Sequence, residues 1–207
     1  MSPLPKSKTL TQQIDANALE HGDRIWLASP ETGRQVSFAN GAAQIRDIAQ
    51  HIANMGLPKG SSIAIASPNS ISACLTFMGI VYGGYVALPL NLVAGAKVLG
   101  YILAHSKAAL IFVQNDCQDM IKEAMQEAKS TAKTCSLDLN GGPQWPESNP
   151  AKSKPNASIE SPKADSISVL MYTSGTTGNP KGVRLSHHNL LAAGHFISTC
   201  HGITKQD

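Results

Sequence analysis

Apolar and polar positions in this chain follow two rhythms, and the switches between them predict its elements. "RIWLAS" (24–29) and "QVSFA" (35–39) flank the turn-rich "PETGR", which predicts a β-hairpin. From Ala42 the apolar residues recur at helical spacing through Ala43, Ile45, Ile48, Ala49, Ile52 and Met55, with Asn40 as the expected cap and Gly56 as the stop. "SSIAIAS" (61–67) reads as a strand. A helix from Ser70 to about Tyr82, a turn at Gly83-Gly84 and a strand through Leu88 follow. "AKVLGYILAHS" (96–106) carries a helical stripe of Val98, Tyr101, Ile102 and His105, and "AALIFV" (108–113) returns to strand. "QDMIKEAMQEAKS" (118–130) is amphipathic, with Met120, Ile121, Ala124, Met125 and Ala128 on one side, and "TCSLDL" (134–139) is a further strand.

Strands alternating with helices predict parallel βαβ units. The expected fold is α/β: a Rossmann-like open, largely parallel sheet with helices on both faces, plus an incomplete second subdomain. The rhythm breaks between Asn140 and Ser166, where Pro143, Pro146, Pro150, Pro155 and Pro162 sit among Ser, Asn and Lys. The expected division is therefore 1–139 as the first α/β subdomain, 140–166 as an exposed connection, and 167–207 as the start of a second. That last part holds "ISVLMY", a glycine-threonine run, "GVRLSH" and a helix from about Asn189, too little to bury its own faces.

One run tests this picture. No charged residue occurs from Ser61 to Ala96, which approaches the hydropathy of a membrane span. Pro68, the Gly83-Gly84 pair and Pro89 interrupt it, leaving a helix of about 12 residues where spanning needs roughly 20. Buried parallel strands account for the rest, so no transmembrane segment is expected. The start, "MSPLPKSKTL", lacks the apolar stretch of a signal peptide, and cytoplasmic location is the expectation.

Composition adds exclusions. A chain of 207 residues with 42% hydrophobic side chains can build a real core. Its net charge of +3 is scattered, with no basic stripe suited to nucleic acid. Cys74, Cys117, Cys135 and Cys200 are widely spaced without a CxxC pair, so they read as small hydrophobes in a reducing compartment.

The segment that demands another explanation is "MYTSGTTGNPKGVRLSHHNL", 171–190. Gly175 and Gly178 let successive amides converge on an anion, and Thr173, Ser174, Thr176 and Thr177 add hydroxyl donors. Lys181 supplies a flexible point charge. Counted from Gly175, the Walker pattern puts Lys181 in the lysine slot. But Pro180 stands where glycine is needed, and Gly182 replaces the hydroxyl that would ligate Mg2+. The segment that follows reads as strand, where that design uses a helix N-terminus.

"YTSGTTGNPKGVRLSHHNL" resembles the signature loop of the adenylate-forming enzymes, the family of acyl-CoA synthetases, firefly luciferase and peptide-synthetase adenylation domains. Tyr172 to Gly178, Pro180 to Val183, Ser186, His187, Asn189 and Leu190 agree with its pattern. Upstream, "VSFANGAAQIRDIAQHIANMGLPKGSSIAIASPNS" and "MGIVYGGYVALPLN" resemble the family's N-terminal region, so the likeness runs from about Ile25 to the end. It implies a carboxylate, such as a fatty acid, reacting with ATP to give an acyl-adenylate and pyrophosphate. Coenzyme A or a carrier-protein pantetheine thiol then takes the acyl group, and Mg2+ accompanies the nucleotide. Thr173, Ser174, Gly175, Thr176, Thr177, Gly178 and Lys181 would embrace the departing phosphates, and no catalytic residue is assigned.

Family members are more than twice this long. The expectation is an N-terminal part that does not complete adenylation alone and whose exposed apolar faces favour self-association. The alternative reading is a non-catalytic truncated paralogue acting as an interaction module. His187, His188, His195 and His201 invite a metal site, but no acidic residue lies near them in sequence and HExxH spacing is absent. Asp116 and Asp165 read as segment-edge caps, and Tyr85 and Tyr101 as core.

Overall fold

The computed structural model describes residues 7–145, 159–173 and 179–204. Among these residues nine strands and six α-helices run in the order α1 (Leu10–His21), β1 (Ile25–Ala28), β2 (Gln35–Ser37), α2 (Phe38–Asn54), β3 (Ser62–Ala66), α3 (Ile71–Tyr82), β4 (Val86–Pro89), α4 (Gly95–Ser106), β5 (Leu110–Gln114), α5 (Gln118–Glu127), β6 (Lys133–Asp138), β7 (Gly142–Gln144), β8 (Ile167–Thr173), β9 (Lys181–Ser186) and α6 (His187–Cys200). β1 and β2 form the expected antiparallel hairpin. The other seven make one sheet in the order β7-β6-β5-β3-β4-β8-β9. Its five inner strands are parallel, and each edge strand is antiparallel to its neighbour.

The two-residue period of the strands builds the layers. Ile63 and Ile65 turn to one face and Ala64 and Ala66 to the other, all buried. The first face packs on α2 and α3 through Ile45, Ile48, Ile52, Leu75 and Ile80. The second packs on α4 and α5 through Leu99, Leu103, Ile121 and Ala124. Largely buried on both sides, β3 and β4 contain no charge, which explains the uncharged run in the sequence. α3 is 12 residues long, and no helix among the described residues is long and apolar enough to cross a membrane.

Glycines set the spacing within each helix layer. A Cβ on Gly79 would come 2.5 Å from Ile48 Cγ2, so α3 lies against α2 through that bare backbone. A Cβ on Gly100 would meet Glu127 Cβ at 2.9 Å and Ala124 O at 3.0 Å, the same device between α4 and α5. Neither position admits a side chain without shifting a helix.

The structure corrects several local expectations. α2 is capped by Ser37, whose Oγ accepts from Asn40 N–H, not by Asn40 itself. Ser37 is the last extended residue, so the helix begins as soon as β2 ends. The region 8–22, unread in the sequence, contains α1; within the helix only Thr11 and Ile14 are buried, which leaves a weak apolar stripe. Polar contacts fix it instead: Asp15 Oδ1 accepts from Arg46 Nη2 at 2.6 Å, and the Tyr82 hydroxyl donates to the same carboxylate at 3.2 Å. The stretch from 140 opens with strand β7, whose Pro143 is tolerated at a sheet edge. The two strands of the part 167–207, read as too little to bury its own faces, join the sheet, β8 pairing in parallel with β4 through Ala87 and Val169 and β9 pairing with β8. All four cysteines are free; Cys117 and Cys135 are buried, Cys74 is half-buried and Cys200 exposed. Burial pushes the Cys135 thiol up to about 11, which makes it an inert filler.

Candidate functional site

Strand order decides where a ligand can sit. The chain leaves β3 toward β4 on one side and leaves β5 toward β6 on the other, so the order reverses between β3 and β5. Ligands of open α/β sheets bind beyond the carboxyl ends of such strands. β8 runs parallel to β4, so its carboxyl end lies at that same edge.

Of the seven residues expected to hold phosphates, the described set includes Thr173 and Lys181. Ser174, Gly175, Thr176, Thr177 and Gly178 lie outside the described residues. Thr173 and Lys181 face each other as the last pair of the β8–β9 ladder. Both are exposed. The chain between them therefore starts and ends at one point, which is the geometry that lets consecutive amides and hydroxyls turn toward a common centre. Lys181 begins β9, a short antiparallel return, and no helix starts there. This departs from the Walker arrangement, as expected from the sequence.

Tyr172, just before that pair, is held from two sides. Its hydroxyl lies 2.6 Å from His105 Nδ1 on α4. Its ring meets the His105 ring edge-on at 5.8 Å, and His105 in turn stacks on Tyr101 at 5.7 Å. Across the ladder Tyr172 pairs with Gly182, where a Cβ would come 3.4 Å from the ring carbon Cζ and 3.2 Å from Leu170 Cδ1. Glycine at 182 thus leaves room for the tyrosine to lie flat over the neighbouring strand. Tyr101 is half-buried and Tyr85 fully so, in keeping with packing roles.

The later half of the motif builds structure. Ser186 ends β9 and caps α6: its Oγ accepts from Asn189 N–H at 3.2 Å, while its own N–H donates to Asn189 Oδ1 at 2.9 Å. Leu190 packs against the α2–α3 core. His187 is 1% exposed, and its Nδ1 accepts from Leu10 N–H at 3.2 Å, satisfying an end group of α1 that has no partner within its own helix. Burial pushes His187 down to about 4, so it is a neutral strut. The six residues of β9 span roughly 20 Å, which puts the start of α6 at the far edge of the sheet from the loop mouth. Among the described residues no group of three or more His, Cys, Asp or Glu side chains is placed to hold a metal ion.

A cleft of about 820 Å3 opens elsewhere, at the amino ends of β3, β4 and β8, lined by Lys59, Ser62, Val86, Ile167 and Arg184. It lies at the opposite end of these strands from the Thr173–Lys181 pair. The sequence reading missed the Tyr172–His105 contact, although His105 stood in the helical stripe; nothing in the spacing tied it to a residue 67 positions later.

Comparison with known proteins adds an independent line. A family profile described as "AMP-binding enzyme" matches residues 14–207. The sulfoacetate–CoA ligase of Cupriavidus necator is 33% identical over 201 residues, which cover 96% of this chain and 39% of that protein. The long-chain-fatty-acid–CoA ligase FadD1 of Archaeoglobus fulgidus superposes with a TM-score of 0.79 at 24% identity, over 98% of this chain and 41% of that one. ATP-bound MatB of Rhodopseudomonas palustris gives 0.75 at 23% identity, over 93% and 37%. The chain thus spans about two fifths of the length of these relatives.

Proposed function

We propose, because the chain belongs to the AMP-binding enzyme family, that it is the nucleotide-handling portion of an ATP-dependent carboxylate–thiol ligase. The observation that carries this reading is the Thr173–Lys181 pair closing a glycine- and hydroxyl-rich loop at the carboxyl edge of β8. In the reaction a carboxylate oxygen attacks the α-phosphorus of ATP, and the bond to the β-phosphate oxygen breaks, releasing pyrophosphate. The thiol of coenzyme A or a pantetheine then attacks the acyl carbon and AMP departs.

Thr173, Ser174, Gly175, Thr176, Thr177, Gly178 and Lys181 act on the first step. They hold the β- and γ-phosphates and stabilise charge growing on the leaving group, without bonding to it covalently. Mg2+ enters with ATP as part of the substrate. The acyl donor is a fatty acid or a related carboxylate. In this reading residues 1–139 form the first α/β unit, 140–166 the connection and 167–207 the start of a second, whose first two strands share the sheet. The exposed side chains of Met171, Val183, Phe196 and Ile197 favour self-association of the chain.

The residues named are assigned to the phosphates and none to the carboxylate, so in this reading binding and turnover separate in this chain. Calorimetry on the 207-residue protein is expected to show saturable MgATP binding, with ATP–pyrophosphate exchange at background for every acid tried. Acid-dependent exchange by this chain alone would overturn the separation, and absence of MgATP binding at millimolar concentration would overturn the reading itself.

A further inference from the structure

We propose that His105 is a positioning residue for the phosphate loop, acting through the hydroxyl of Tyr172; this rests on the reading of the loop given above. The loop mouth is carried by two strands with little else to hold them. β9 is the sheet edge, and residues 181–184 on it are exposed. β8 meets β4 in parallel pairing only at Ala87 and Val169, four residues before Thr173. β4 ends at Pro89, two residues past that pair, so Tyr172 and Thr173 at the carboxyl end of β8 extend beyond their inner neighbour.

The Tyr172–His105 contact supplies the missing restraint. α4 is anchored on the inner sheet by the buried Leu99, Ile102 and Leu103, so His105 near its end is a fixed point. Tyr101, one turn earlier, stacks on the imidazole and limits its rotation. With the ring proton on Nε2, Nδ1 accepts from the Tyr172 hydroxyl at 2.6 Å. Burial, then the neighbouring Tyr101, hold that hydroxyl above the ordinary tyrosine range, so it remains a donor at neutral pH. The tethered ring lies over Gly182, the residue after Lys181, so one hydrogen bond fixes both ends of the loop.

The test combines amide NMR spectra with calorimetric titration of MgATP on the 207-residue chain. His105 is exposed and Tyr172→Phe keeps the ring, so neither change removes core packing. His105→Ala and Tyr172→Phe are expected to move the amide resonances of Thr173 and Lys181 and to weaken MgATP binding about threefold to tenfold each. The double variant should bind no more weakly than either single one, because both remove the same bond. His105→Asn, which keeps an acceptor near the Nδ1 position, should recover most of the affinity. Unmoved resonances in His105→Ala, or moved resonances with unchanged affinity, would overturn the proposal. A wild-type chain that binds no MgATP would instead remove the reading of the loop, and this role with it.

Discussion

Lys181→Ala is expected to weaken MgATP binding about tenfold to a hundredfold while leaving the unfolding midpoint in place. A charge-assisted hydrogen bond to phosphate is worth about 1.5–3 kcal/mol, which sets that range. The fold has little stake in the ammonium, because Lys181 is exposed at the start of an edge strand and the cores lie elsewhere. Lys181→Arg keeps the charge and should retain most of the affinity, though its planar fork suits the loop differently from a point charge. Titration calorimetry checks the first quantity and urea unfolding the second. An unchanged dissociation constant in Lys181→Ala would remove the lysine from the phosphate site; loss of binding together with stability would make it a structural residue.

Between pH 7.5 and pH 4 the protein is expected to lose up to about 3 kcal/mol of stability through His187 alone. The ordinary histidine value is 6.5, and burial pushes His187 down to about 4 in the folded chain. Above 6.5 the ring is neutral in both states and its contribution is complete. As pH falls from 6.5 toward 4, the unfolded chain binds a proton that the folded chain refuses, so stability drops. Below about 4 both states are protonated and the loss stops growing. His187→Gln offers an acceptor to Leu10 N–H without titrating. It should be less stable than the wild type at pH 7.5 and should flatten the dependence between 6.5 and 4, measured as urea midpoints across that window. An equal slope in both proteins would contradict the neutral-strut role.

Much of the fold was legible because the inner strands obey simple rules. Ile63, Ala64, Ile65 and Ala66 could be read as a fully buried strand from an unbroken apolar run, and Ser70 and Gly83 bound α3 by cap and stop. α1 was illegible because it is held by Asp15, Arg46 and Tyr82, and such pairings leave no periodic trace. β7 was hidden by Pro143, which forbids an inner strand and permits an edge. The parallel pairing of β8 with β4 joins residues some 80 positions apart, and nothing local announces it.

The candidate loop stood out by its chemistry, the division of labour within the motif less so. Glycines, hydroxyls and Lys181 in one short run mark the loop. The same motif also contains Ser186, His187 and Asn189, which look alike as polar residues yet serve as cap, buried strut and capping partner. Only the placement of β9 separates them from the loop mouth. His105 stood out for its place on a helix, and its link to Tyr172 emerged once α4 and β8 were seen together.

The most direct measurement is a residue-resolved one. Amide NMR spectra of the chain are recorded as MgATP, inorganic pyrophosphate and adenosine are added in separate titrations. Saturable shifts centred on residues 173–182 with MgATP and pyrophosphate, and none there with adenosine, are what a loop that clasps the phosphate tail requires. Shifts that leave 173–182 untouched while appearing elsewhere on the sheet, or a response to adenosine equal to that of MgATP, would contradict it.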